Sequence, residues 1–357
     1  MKIVEIILDL RRRAGAEVFF ASLCDEFIKN PEIELTVISL WDDIHDSFKY
    51  LQNDPRVSFY SLSKKRGVDF KAARKLKKLL LDINPDIIHT HRSILMTYFF
   101  AFGLSKQNWK LVHTIHSTPG KEANRITWML RKCYDKKKLI TYVGISDLIT
   151  REFSNLSKGS IVTIYNGIAI KTVNSDLAKQ FDFINVARFS PAKNHRLLID
   201  SFNDFYLEHN NATLICVGEG ELRTEIEAYA STLNCYTNII FYGPSNDVLA
   251  LLSQSRVFIL TSFYEGTPVS ILEAMSVGLP IISPNVGGIP DILEDNVNGF
   301  LFEVCNKKQI VQLMEKIYDN RQLIERISKN NKEKVLKFSI EVCASNYLSL
   351  FEKLVNK

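Results

Sequence analysis

Residues 263–280 read FYEGTPVSILEAMSVGLP and follow an apolar, β-branched run, RVFILTS (256–262). The run reads as a buried strand and FYEGT as the loop at its carboxyl end. Thr267 suits a helix N-cap, Pro268 the first helical position and Gly278 the position just past the helix. A second apolar run, LPIISPN (279–285), follows. Strand, loop, helix and strand in this order form a βαβ unit, which implies a parallel sheet. The stretch also carries Glu265 and Glu273, with seven residues between them. Glu265 falls in the loop, and Glu273 on a helix among Ile271, Leu272, Ala274 and Met275. A carboxylate on that face needs a partner, because burying it alone is costly. One reading gives the Glu273 carboxylate two adjacent hydroxyls, such as a ribose diol, while Gly266 and the free amides of the helix start approach an anion. The other has Glu265 complementing the helix dipole and Glu273 pairing with a nearby Lys or Arg.

The alternation extends in both directions. KIVEIILDL, IELTVISL, DIIHTH, KLVHTIH and ITYVGIS read as strands of a first domain, and FDFINVARF, ATLICVGEG, NIIFYG, RVFILTS, LPIISPN and GFLFEV as strands of a second. Helical periods lie at 17–29, 195–208, 221–233, 246–254, 268–277 and 307–318. The expected fold is α/β, with two Rossmann-like domains facing across a cleft. They would span 1–168 and 169–340, with a final helix (341–357) packing back on the N-terminal domain and a hinge at 165–175. Ligands of such sheets bind beyond the carboxyl ends of the strands.

With 357 residues, 46% of them hydrophobic and 24% charged, the chain has the composition of a two-domain globular protein. Its six cysteines are scattered without a CxxC or Cys/His cluster, as expected for reduced thiols in the cytoplasm. The longest apolar run, ILMTYFFAFGL (94–104), falls well short of the roughly 20 residues that span a bilayer. The net charge of +5 is unevenly placed. Residues 1–171 hold 28 Lys and Arg against 18 Asp and Glu; the remainder hold 17 against 22. Much of the excess lies in 64–82 and 131–138. In the first segment, Phe70, Ala73, Leu76, Leu79 and Leu80 fall on one helical side, with Lys71, Arg74, Lys75, Lys77 and Lys78 elsewhere. It reads as a solvated basic helix or as one that adheres to anionic lipid. Nucleic acid is not expected, because no recognition motif or stacking pattern accompanies the charge.

A second site candidate is NVARFSPAKNHRLLIDSF (185–202), where Arg188 and Lys193 lie between a strand end and a helix start. Cations in that position form an anion site, best suited to phosphate. No Asp-x-Asp pair ends a strand, so neither a metal nor a cofactor is expected. His89 and His91 read as structural hydrogen-bonding groups or, alternatively, as contacts to the acceptor. GEG (218–220) reads as a turn and not as a dinucleotide fingerprint, because the third glycine is missing.

With these residues in view, the chain resembles the retaining glycosyltransferases of the GT-B fold that use nucleotide-diphosphate sugars and carry the Glu-x7-Glu signature. RRAGAE (12–17), HTIHSTPG (113–120), VGISDLI (143–149), YNGI (165–168), VARFSPAKNH (186–195), VGEGELRTEIE (217–227) and YEGTPVSILEAMSVGLPIISPNVGGIPDIL (264–293) occur in the family's order. The resemblance implies that Glu273 holds the donor ribose and that Glu265 contacts the transferred sugar. It assigns the diphosphate to Arg188 and Lys193. Backbone around Gly266, Thr267, Pro268 and Val269 would cradle phosphate and sugar, although Pro268 has no N–H to offer. Gly15 would let the first loop approach the phosphates or the acceptor, and His116 would face the donor sugar. Ala14 departs from the family's usual glycine pair. The implied enzyme moves sugar without a metal, with uridine as the first nucleotide, onto a saccharide or lipid-linked acceptor for capsule or O-antigen. It would work in the cytoplasm, at the inner face of the plasma membrane. The rivals are a sugar-nucleotide epimerase of similar fold and a silent partner in a polysaccharide assembly complex. Oligomeric state is left open.

Overall fold

A computed structural model describes residues 1–11, 15–65, 67, 69–92, 109–116, 140–170 and 178–356. The 94–104 run, the 131–138 basic run and Ala14 lie outside these residues, as do residues 171–175 of the expected hinge and part of the HTIHSTPG motif.

Among the described residues the chain divides into two units, Met1–Ala169 with Ile340–Lys357, and Ile170–Ser339. The first sheet is built from β1 (Lys2–Ile7), β2 (Glu34–Ser39), β3 (Val57–Ser61), β4 (Ile87–His91), β5 (Lys110–Ile115), β6 (Ile140–Gly144) and β7 (Ser160–Thr163). The second is built from β8 (Phe181–Val186), β9 (Leu214–Val217), β10 (Ile239–Gly243), β11 (Ser255–Ile259), β12 (Ile281–Pro284) and β13 (Phe300–Phe302). Their orders are β3-β2-β1-β4-β5-β6-β7 and β10-β9-β8-β11-β12-β13, with all neighbours parallel. This is the expected pair of Rossmann-like α/β domains. In each sheet the strand order reverses once, between β1 and β4 and between β8 and β11. A parallel sheet binds ligands at such a reversal, where the loops diverge.

The sequence reading does not pick out β3 and β7. Both are edge strands with mostly exposed or half-exposed residues, so their apolar signal is weak.

Helix α1 (Gly15–Phe27) packs on one face of the first sheet, and α2 (Phe70–Ile83) on the other. Side chains alternate across the pleat. Ile3 and Ile7 join the layer of Phe19, Phe20 and Phe27, while Val4 and Ile6 join Leu76 and Leu80. Helices α3 (His195–Glu208) and α4 (Val269–Ser276) belong to the second unit. Helix α5 (Ile340–Val355) is part of the first unit, where Tyr347 and Phe351 are fully buried beside Phe19 and Phe27. Burying each such ring is worth roughly 1.5–3 kcal/mol. The observed unit boundary is Ala169/Ile170, one residue beyond the expected 168/169, and the returning segment begins at Ile340 instead of 341.

Two local expectations need correction. Phe70 is 61% exposed, whereas Ala72 is buried beside Ala73, Leu76 and Leu80. At the first position of α2, Phe70 projects past the face that meets the sheet. Pro268 is the N-cap of α4 and Val269 its first residue, one position later than expected. Pro268 is extended (ψ 116°), and its carbonyl accepts from the amides of Ile271 and Leu272. Gly278 closes the helix at φ +80°, as expected. No described helix is long and apolar enough to cross a membrane.

Candidate active site

The second unit gathers its site residues at the β8/β11 reversal. Asn185, buried near the end of β8, donates from Nδ2 to the Ile259 carbonyl of β11 at 2.7 Å and ties the two strand ends together. After β8 the chain makes a short turn, Pro191–Lys193, and enters α3 through Asn194 at φ +48°. The loop after β11 is stitched to that turn. Thr261 Oγ1 donates to the carbonyls of Lys193 and Asn194 at 3.1 and 3.0 Å, and the Phe263 amide donates to the Ala192 carbonyl at 2.9 Å.

This stitching sets the central contact. Lys193 Nζ lies 2.5 Å from Glu265 Oε1, and Ser262 Oγ donates to the same oxygen at 2.6 Å. Glu265 is only 7% exposed, so its charge is compensated by a cation and a hydroxyl. A third loop buttresses it: the Gly288 amide donates to the carbonyls of Glu265 and Gly266 at 3.2 and 3.0 Å. Arg188 stands apart from this contact. It is more than half exposed and pairs with exposed Glu221 at 2.9 Å. Glu273 is half-buried on α4, between buried Leu272 and Ala274. Gly266, Thr267, Pro268 and Val269 form the turn between Glu265 and α4.

At the β1/β4 reversal of the first unit, Gly15 opens α1 and is exposed. Beside α1 lies a buried polar cluster. Glu5 of β1 is fully buried and touches both histidines of β4, with His89 Nδ1 at 2.8 Å and His91 Nε2 at 2.9 Å. His91 Nδ1 contacts His116 Nε2 at 3.1 Å. On the other branch His89 Nε2 meets Thr114 Oγ1, which meets Tyr347 Oη of α5, each at 2.8 Å. Phe19 and Phe20 pack against the rings of His91 and His116. Glu17 of α1, also buried, pairs with Arg92, which follows β4 at φ +65°. Burial pushes the carboxyls of Glu5 and Glu17 above the usual range. It holds His91 and His116 down at about 3, chiefly by desolvation, and His89 well below its ordinary value. All three rings are therefore neutral near pH 7. Glu5, His89 and His91 also form the described group of three able to hold a metal ion.

Two family models match consecutive parts of the chain: Glycosyltransferase Family 4 over residues 13–171, and Glycosyl transferases group 1 over 170–334. Together the two models cover residues 13–334, and the chain is a glycosyltransferase. This glycosyltransferase is 27% identical over 294 residues to the UDP-Gal:alpha-D-GlcNAc-diphosphoundecaprenol alpha-1,3-galactosyltransferase of Escherichia coli, covering 75% of each chain. It is 24% identical to N-acetyl-alpha-D-glucosaminyl L-malate synthase of Bacillus anthracis, over 83% of this chain and 82% of that one. In fold it matches Anabaena Alr3699/HepE, solved with UDP, at a TM-score of 0.83 and 18% identity over 99% and 100% of the two chains. It also matches the lipopolysaccharide outer core galactosyltransferase WaaB at 0.78 and 19% identity over 99% and 100%.

Of the residues singled out in the sequence, Arg188, Lys193, Glu265, Gly266, Thr267 and Pro268 lie in the loops after β8 and β11, Val269 and Glu273 on α4, Gly15 at the start of α1 and His116 just after β5. Sequence reasoning missed Glu5, Thr114, Tyr347, Glu17 and Ser262. One signal for the buried polar cluster was available. Glu5, His89 and His91 share strand parity with the buried Ile3 and Ile87, so a carboxylate and two imidazoles had to share one apolar face.

Proposed function

We propose that this glycosyltransferase moves a sugar from a nucleotide-diphosphate sugar, with UDP as the first nucleotide, to a hydroxyl of a saccharide or lipid-linked saccharide. Configuration at the anomeric carbon is retained, and the product serves surface polysaccharide such as capsule or O-antigen. The observation that carries this reading is the Lys193–Glu265 pair, held by three loops at the β8/β11 reversal. An incoming diphosphate competes for Lys193 Nζ and releases Glu265 to accept hydrogen bonds from the sugar. Arg188, exposed, adds the second cation. Together they neutralise the charge that grows on the leaving group in place of a metal ion. Glu273 takes the ribose hydroxyls, Gly266 and its neighbours line the phosphates, and Gly15 and His116 serve from the first unit. The UDP complexes of HepE and the donor named for the Escherichia coli relative support UDP as the nucleotide to try first.

The test is calorimetric titration with UDP, GDP and ADP, without and with magnesium. Selective binding of UDP that magnesium does not alter is expected. A folded protein that binds none of them refutes the proposal in favour of a silent partner. Glu273→Ala should weaken nucleotide binding by about 1–3 kcal/mol, the value of a charged hydrogen bond. Unchanged affinity overturns its ribose role. NMR of fresh product should show retained configuration, and inversion refutes that part. We also place the enzyme in the cytoplasm, at the inner face of the plasma membrane, with α2 against anionic lipid.

A further inference from the structure

The second unit carries a cleft of about 610 Å³ that shares no residue with the Lys193–Glu265 site. Lys179, Arg256 and Pro280, which line it, stand at the amino ends of β8, β11 and β12. Lys193 and Glu265 follow the carboxyl ends of β8 and β11. Strands of six and five residues therefore hold the two places roughly 15–20 Å apart.

Four cations line the cleft, Lys179, Arg256, Arg321 and Lys332, against one carboxylate, Asp319. Two of the cations are already paired, Arg256 with Asp182 at 3.5 Å and Arg321 with Glu325 at 2.8 Å. Lys179 and Lys332 have no carboxylate partner among the described residues. Lys179 Nζ donates to the Ser253 carbonyl at 2.8 Å, at the end of the helix Val248–Ser253. Lys332 shares one face of the helix Arg321–Val335 with Ile324 and Ser328. Its stem packs on Gly278, where a Cβ would stand 2.7 Å from Lys332 Cε. Desolvation, followed by the charges of Lys332 and Arg256, holds the Lys179 ammonium below its ordinary value. A helix-end carbonyl accounts for Lys179. It does not account for Lys332, which bonds no carbonyl among the described residues. Like charges gathered without a carboxylate between them are relieved by an anion.

We propose that this cleft is a second ligand site, for a small phosphate ester. Lys179 and Lys332 take the phosphate, with Arg256 beside them, and Leu279, Pro280 and Ile324 cover the organic body. A phosphomonoester carries close to two negative charges near neutrality, which matches two unpaired ammonium groups; a carboxylate carries one. The volume suits a molecule of metabolite size.

The test is calorimetric titration of the full chain with glycerol 3-phosphate and with inorganic phosphate, beside lysine acetylation read by mass spectrometry. Saturable binding of glycerol 3-phosphate is expected, and weaker binding of inorganic phosphate, which leaves the apolar wall uncovered. Joint replacement Lys179→Gln and Lys332→Gln should weaken binding at least about tenfold with the melting temperature little changed. Arg188→Gln should leave binding as it is. Bound ester should slow acetylation of Lys179 and Lys332 but not of Lys329, which points away to Glu333. No saturable binding up to about 10 mM overturns the proposal. Wild-type affinity in the double variant, or loss of binding in Arg188→Gln, does the same. Equal affinity for the two probes overturns the ester and leaves an anion site only. Flotation with phosphatidic acid vesicles separates the sources. If the double variant loses vesicle binding while the soluble ester does not bind, the phosphate belongs to a lipid headgroup and the soluble ligand is overturned. No readout requires a nucleotide, so failure here is distinct from failure of the proposed function.

Discussion

Lys193 and Arg188 read alike in the sequence, as two cations at one strand end, but the structure gives them different surroundings. Lys193 compensates a buried carboxylate, so Lys193→Ala leaves the Glu265 carboxylate with Ser262 as its side-chain partner among the described residues. The expected stability loss is about 2–4 kcal/mol, less than for a wholly buried pair because the lysine is a quarter exposed. Arg188 and Glu221 form an exposed pair, and Arg188→Ala should cost under about 0.5 kcal/mol. Both substitutions should lower turnover. Chemical denaturation beside steady-state rates checks the contrast, and equal stability losses would contradict it. The histidines add a pH dependence. His195, stacked on Phe189 at 4.0 Å, is held down to about 4, chiefly by burial and then by Lys193. His91 and His116 lie at about 3. A depressed folded-state value means that the unfolded chain takes up protons first. Stability is then full above about pH 6.5 and falls as pH drops toward 4 and 3, by up to about 1.4 kcal/mol per pH unit for each ring. Glu5, shifted upward, opposes this. Melting temperatures measured from neutral to acid pH should decline through that window, and a flat profile would show that these rings are not buried and neutral.

At the scale of elements, the active-site loops depend on close backbone approach. A Cβ at Gly287, which has φ +59°, would lie 1.7 Å from the Glu265 carbonyl oxygen. At Gly278, φ +80°, it would meet the tips of Ser328 and Lys332 at 2.4 and 2.7 Å. Side-chain ends can move, whereas the Glu265 backbone cannot without moving the site. Gly278→Ala should cost about 1–2 kcal/mol; Gly287→Ala should cost more and also weaken nucleotide binding. Denaturation and calorimetry on both variants test this ranking. On α2, Lys71, Arg74, Lys75 and Lys78 are exposed together with Phe70 and Leu81. Binding to anionic vesicles at low salt should be lost when Lys71, Lys75 and Lys78 are replaced by Glu. Flotation of the variant with such vesicles would remove lipid adhesion from consideration.

For the whole molecule, the chain's end completes its beginning. Tyr347 and Phe351 fill the layer between α1 and the first sheet, and Tyr347 closes the His89 branch. Deleting residues 340–357 should leave the first unit unable to fold cooperatively. Residues 170–339, with their own sheet and core, should fold alone and retain most of the nucleotide affinity. Circular dichroism and calorimetry on the two truncated chains decide it.

Local pattern alone determined the parallel sheets, most helices, and the glutamates and cations near strand ends, because hydrophobic period and helix-end chemistry act over a few residues. VSFYS and SIVT escaped because edge strands bury little and carry weak alternation. Partnership escaped as well. Lys193 meets Glu265 across 72 positions, and Thr114 meets Tyr347 across 233. A polar group's partner is fixed by what burial leaves within reach, and only the tertiary structure sets that distance.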